Sequence, residues 1–375
     1  MIIDRIRKDI SNIPGWSTKR HIVIFESDDW GSVRIRSKKD YDVMLAAGIN
    51  LDRNPFTMYD GLEPNSDLER LFDVLSRHKD SSGRAAVFTP MCIVANPDFQ
   101  KIKDSGYNEY HYKTLPETCS EYVDSDRVVS LWKEGKERRL FVPALHGREH
   151  LHIFSYLNSL RQYEAFKVAL DCNSFGICRY KGEILKEHDH CGAFAPEHKT
   201  EIPKLVEVAH DACRLFEQIC GYKATHFIGC SAQPAIEVEM ALADEGVKYI
   251  TQAKLCKYPL GDGEFKRAYY WLGKINKRTG QMAMMRNGWF EPIHKDKNYI
   301  DVCMNDISNA FKYHKPCIIS THRANYCSRI VAENSSNGLR LLDELLRTII
   351  KTWPDVEFMT STELGEIIRK EKGIA

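Results

Sequence analysis

The run Ile22-Val23-Ile24-Phe25-Glu26-Ser27-Asp28-Asp29-Trp30-Gly31 carries the strongest chemical signal in the chain. An apolar stretch runs straight into two adjacent carboxylates. Like charges buried side by side are costly unless paired, and a bound cation offsets that cost. Neighbours in a strand point to opposite sides, so one aspartate can hold a metal while the other accepts a proton. The competing reading is an N-cap pair at the start of a helix.

A second stretch, Leu140-Phe141-Val142-Pro143-Ala144-Leu145-His146-Gly147-Arg148-Glu149-His150, ends in His-x-x-x-His. If a helix starts where the strand ends, His146 and His150 lie on one face at i, i+4 and can grip one ion. Gly147 stands where the zinc-protease motif requires Glu, so that chemistry is excluded. A third stretch, Pro316-Cys317-Ile318-Ile319-Ser320-Thr321-His322, delivers one more histidine to a strand end. Histidine titrates near neutrality and suits proton donation to a leaving group. Taken singly, each histidine also fits a hydrogen-bonded core or surface role. Together, one Asp and two His would leave a zinc-like ion with open positions, and the remaining Asp and His would supply base and acid.

Positioning these groups requires strands that end together. Short apolar runs at 21–25, 85–88, 140–145, 225–228, 247–251, 316–320 and 356–359 alternate with amphipathic segments at 67–78, 202–220, 234–245 and 338–352. Buried strands alternating with helices predict an α/β fold with a parallel sheet. About seven strands favour a closed or nearly closed, distorted β/α barrel, whose active site lies at the strand C-termini. Residues 1–375 read as one domain, with long insertions near 172–200 and 256–297.

Fifty-three basic residues against 52 acidic ones give a net charge of +1, without the basic footprint of a nucleic-acid or anionic-membrane binder. No long apolar run predicts a spanning helix, and residues 1–16 lack the apolar segment of an export signal. The twelve cysteines are scattered singly with no CxxC, which favours reduced, buried thiols over a disulfide framework. A cytoplasmic protein without nucleic-acid or membrane partners is expected.

The motifs resemble, in order, those of the polysaccharide deacetylases of carbohydrate esterase family four. Ser27-Asp28-Asp29-Trp30-Gly31 is similar to the family's first motif, and Ala85-Ala86-Val87-Phe88 to its following strand. His146 to His150 matches its His-x-x-x-His, Ile318 to His322 its late strand, and Val356 to Leu364 its closing strand and helix start. The resemblance implies a distorted β/α barrel that removes acetyl groups from amino sugars. It implies Asp28 as general base, Asp29, His146 and His150 as ligands of a divalent ion (zinc first, cobalt or nickel next), and His322 as general acid. The family's third motif, an Arg-x-Pro-aromatic strand whose Arg orients the base, should fall near 225–232. This chain has Thr225-His226-Phe227-Ile228-Gly229-Cys230-Ser231-Ala232 there. Arg286 could replace that arginine from a loop.

Trp30, Trp289, Phe290 and Tyr326 are the candidates for stacking on a sugar face. His188, Asp189, His190, Cys191, Glu197 and His198, in the insertion after the second motif, suggest a polar lid or a second metal site. The expected substrate is an acetylated sugar or oligosaccharide. Another C–N hydrolase acting on a small amide, or a carbohydrate-binding relative without activity, are the alternatives.

Overall fold

The computed structural model describes residues 9–177, 179–180, 183–184 and 190–374. Nine strands form one parallel sheet: β1 (Ile22–Trp30), β2 (Phe88–Ile93), β3 (Ala144–Gly147), β4 (His226–Ile228), β5 (Tyr249–Thr251), β6 (Met282–Met284), β7 (Gly288–Trp289), β8 (Cys317–His322) and β9 (Glu357–Phe358). Their order is β6-β5-β4-β3-β2-β1-β8-β7. β9 pairs with Ile22 and Val23 of β1, on the edge that β2 occupies from Phe25 onward. The architecture is the expected distorted β/α barrel, with two strands more than the apolar runs announced.

Those two strands, β6 and β7, lie inside the stretch expected to be an insertion. Met282-Ala283-Met284 has no β-branched residue and Gly288-Trp289 is only two residues long, so neither carries a strand signal. Residues 255–269 of the same stretch form an antiparallel hairpin. β6 and β7 are the two ends of the strand order, and among the described residues no ladder joins them. Residues 285–287 cross that gap. Gln252 N donates to Met284 O on one side (3.1 Å), and Asn287 N to Ile318 O on the other (3.0 Å).

Ile22, Val23, Ile24 and Phe25 are fully buried, since the sheet is covered on both faces; each such side chain contributes about 1.5–3 kcal/mol of transfer free energy. Helices Asn65–Arg77, Ile202–Cys220 and Ala332–Thr352 turn apolar stripes inward. The nineteen-residue helix Ile202–Cys220 stops at Gly221, whose φ of 77° few other residues adopt readily. Helix Ser361–Glu371 follows β9 directly, started by a capping box between Thr360 and Glu363. The eleven described cysteines form no disulfide, and ten are buried. No described helix is long and apolar enough to cross a membrane.

Candidate active site

The β1–β8 register sets Asp28 directly beside His322. Phe25, Glu26 and Ser27 pair with Phe88, Thr89 and Pro90 of β2, but the register then shifts before Trp30 meets Cys92. That bulge holds Asp29 at φ 76°, a left-handed conformation that Asp tolerates better than most residues. Strict alternation would send Asp28 and Asp29 to opposite faces. The bulge instead brings both into one cleft of about 1130 Å³ at the strand C-termini, together with Arg34, His146, His150, Arg286, Trp289 and His322.

His146 lies on β3, but no helix follows it. Residues 148–151 bend, held by Arg148 O, which accepts from Val94 N and Ala95 N (3.2 and 2.6 Å). The next helix starts only at Ile153, capped by His152. The expected helical i, i+4 pairing is therefore replaced by a turn that folds His150 back over the strand end. Both Nε2 atoms reach the same oxygen, Asp29 Oδ1, at 3.5 Å from His146 and 3.0 Å from His150. The other carboxylate oxygen, Oδ2, takes Arg34 Nη2 at 3.3 Å.

Two observations test whether a cation fits here. His146 Nδ1 lies 2.9 Å from the Ile228 carbonyl, which can only accept, so Nδ1 carries a proton and Nε2 is the ring atom turned toward Asp29. Nε2 against a carboxylate is repulsive unless a positive charge lies between them. Without an ion, burial opposes a second proton on the ring, but Cys230, Asp29 and Asp28 outweigh it and favour that proton; a bound cation would take its place. The second observation is charge. Glu26, Asp28, Asp29, Asp60, Glu63 and Glu291 are all buried and joined through ion pairs to Arg34, Arg286, Arg323 and His322. The pairs form two sets, one on Arg34 and Arg323 and one on Arg286 and a protonated His322, each with one acid more than its cations. If His146 and His150 are neutral, as ligands must be, two negative charges are left over. A divalent cation carries the complement, so the residues fit the group. His146, His150 and Cys230 also bring one donor atom each within 4.8 Å of one another, although Cys230 Sγ is hydrogen-bonded to the His146 carbonyl at 3.3 Å.

Asp28 is gripped by a guanidinium that arrives from the gap-crossing segment. Arg286 Nη1 donates to Asp28 Oδ2 (2.7 Å), Nη2 to Oδ1 (2.5 Å), and Nε to Glu26 Oε2 (2.7 Å). Burial pushes the Asp28 carboxyl up, but the charge and hydrogen bonds of Arg286 outweigh it and hold the group below its ordinary value. His322 Nδ1 lies 2.6 Å from Glu291 Oε1, whose second oxygen accepts from Asn325 Nδ2 at 2.7 Å. Burial alone would lower the His322 pKa; Glu291 foremost, with Asp28 and Asp29, raises it to about 9. Its Nε2 faces Asp28 Oδ2 across 3.7 Å.

Three of the four aromatic candidates are elsewhere. Trp30 is fully buried, its Nε1 donating to Ser27 Oγ (2.9 Å) and its ring set edge-on to Phe141. Phe290 and Tyr326 are likewise in the core, because they follow strand ends on the side facing the helices rather than the cleft. Trp289 is 44% exposed and lines the cleft. Phe56, whose ring lies 4.7 Å from that of His322, lines it too and was not anticipated. Of the insertion cluster, His188 and Asp189 lie outside the described residues. His190 is buried against Phe175 O, Glu197 accepts from Ser155 Oγ, and His198 pairs with Asp262 at the surface. These described members do not converge; Cys191 alone reaches the cleft.

No family model matches the sequence, and no match to a curated protein was found. Among solved structures, a Pseudomonas aeruginosa protein described as a probable polysaccharide deacetylase aligns over 95% of this chain and 94% of its own, at 8% identity and a TM-score of 0.50. The chain has the polysaccharide deacetylase fold. Puue allantoinase aligns over 95% of this chain and 94% of its own, at 11% identity and a TM-score of 0.45. A pseudoenzyme of carbohydrate esterase family four from Bacillus anthracis covers 92% of this chain and 65% of its own, at 12% identity and a TM-score of 0.36. At these identities the likeness to polysaccharide deacetylases is one of fold, and the chemistry must be argued from the side chains.

Glu26, Arg34 and Glu291 are the functional neighbours that motif reading missed. Glu26 left one trace, a charged residue inside an otherwise apolar run. Glu291 left none, since Trp-Phe-Glu-Pro is an ordinary loop sequence.

Proposed function

We propose that this chain is a metal-dependent hydrolase that removes an acetyl group from an N-acetylated sugar or oligosaccharide. The reading rests on one observation: Asp28, Asp29, His146, His150 and His322, brought from three strands and the bend after β3, line or border a single cleft. Asp29, His146 and His150 would hold a divalent ion, zinc being favoured by two imidazoles and a carboxylate. Once bound, it would polarise the acetyl carbonyl and make a water molecule more acidic.

The rest of the work falls to the chain itself. Asp28, kept ionised and fixed in angle by Arg286, accepts the proton of the attacking water. His322, protonated at neutral pH, donates from Nε2 to the departing nitrogen, while Glu291 on Nδ1 keeps that proton available. Trp289 offers an aromatic face at the cleft mouth for a sugar ring.

The test is acetate release from a panel of N-acetylated sugars and oligosaccharides, using protein stripped with chelator and reloaded with zinc, cobalt or nickel. Release that returns with metal and is absent from Asp28→Asn supports the reading. No release from any substrate, with no ion retained, would overturn it.

A further inference from the structure

Glu26 has no part in the motifs discussed above, yet it is completely buried in the barrel interior and spends a formal charge there. On β1 it stands two residues before Asp28, on the same face of the strand. Its carboxylate is saturated. Oε1 accepts from Ser361 Oγ at 2.6 Å and from Thr251 Oγ1 at 3.0 Å, and Oε2 accepts from Arg286 Nε at 2.7 Å. Thr251 Oγ1 is in turn hydrogen-bonded to His226 Nε2 at 2.8 Å. The holders come from the end of β5, the first turn of the helix after β9, and β4, so three separate elements fix the rotamer of one side chain.

Arg286 reaches this point from the segment crossing the gap between β6 and β7. An arginine on a connecting segment has many rotamers, and its planar fork serves a carboxylate well only when its plane is set. Two Nη–H groups on Asp28 tie the fork to the carboxylate it must aim. A third contact, to a side chain that other elements hold in place, defines where the fork and Asp28 sit. Nε on Glu26 is that contact, and Ser320 Oγ supports Nη1 at 3.0 Å.

We propose that Glu26 is a positioning residue: it captures the Arg286 guanidinium by its Nε and thereby aims Asp28 at the attacking water. The proposal rests on the hydrolase reading above for its kinetic consequence, and on geometry alone for the capture itself. The Glu-x-Asp spacing on β1 thus sets both carboxylates against one guanidinium.

The experiment compares the metal-loaded full-length protein with Glu26→Gln and Glu26→Ala. Loss of the group that orients Arg286 should cost about 10- to 100-fold, the range seen when a group orienting a metal ligand is lost. Gln keeps a weaker, neutral acceptor, so kcat should fall to the lower end of that range, and Ala should take it to the upper end. KM should stay within about twofold, because Glu26 touches no substrate. The second readout needs no turnover. The Nε–H of Arg286, identified by its absence in Arg286→Lys, should exchange slowly with solvent in the wild type and quickly in Glu26→Ala. Unchanged kcat with unchanged Nε–H exchange in folded Glu26→Ala would overturn the proposal. If that variant does not fold, Ser361→Ala, which loosens Glu26 without emptying its site, decides by the same two readouts. Should no acetylated substrate be turned over at all, the hydrolase reading fails, while Nε–H exchange still decides whether Glu26 holds Arg286.

Discussion

At the scale of single residues, the roles assigned to the cleft separate cleanly by what each group can lose. Replacing Glu291 with Gln removes the main cause that raises His322 to about 9. The active form carries the proton, so activity falls as pH rises through that value. In Glu291→Gln the alkaline limb of kcat/KM should therefore move to lower pH, and an unmoved limb would remove His322 as the acid. His146→Ala and His150→Ala should each abolish stoichiometric ion retention, read by elemental analysis, whereas Asp28→Asn should keep the ion and lose turnover. Asp28, Asp29, His146, His150 and His322 were all legible because each ends or closely follows an apolar run. Glu291 and Arg34 were not, because their meaning depends on which loop lies against which, and no local pattern encodes that.

At the scale of elements, the bulge near the end of β1 is the decisive departure from regular structure. It turns Asp29 to φ 76° and gathers both carboxylates on one side. Gly31, at φ 84°, completes the turn with its amide on Glu63 (3.2 and 3.1 Å), and a Cβ there would meet the Ile93 carbonyl oxygen at 2.4 Å. Gly31→Ala should cost about 1–3 kcal/mol from the backbone conformation alone, with the clash adding to it, measured by denaturant unfolding. A loss below a few tenths of a kcal/mol would mean that the turn relaxes freely. The sheet was readable in outline, since seven of nine strands announce themselves by apolar runs. The alternation rule failed at Asp28 and Asp29, however, and the helical spacing of His146 and His150 proved to be a turn. Both failures lie at the site, where sequence serves chemistry before regularity.

At the scale of the molecule, an ion held by Asp29, His146 and His150 would couple its binding to folding. With His146 and His150 neutral, two surplus buried negative charges would destabilise the fold until a cation arrives. Free ion at about a thousandfold over its Kd should therefore add about 4 kcal/mol to stability. Calorimetry of stripped and reloaded protein should show that gain, and Asp29→Asn should largely cancel it; equal melting temperatures with and without metal would contradict the centre. The gap between the outermost strands has a consequence of its own. It is crossed by three residues, and the middle one is Arg286. Warmth that merely widens that seam would unhook the base from its guide while the helices and the rest of the sheet stay intact. On the proposed mechanism turnover should then fade below the temperature at which the chain melts, read by activity and calorimetry on one sample, and the seam would act as a thermal fuse on the site rather than on the scaffold.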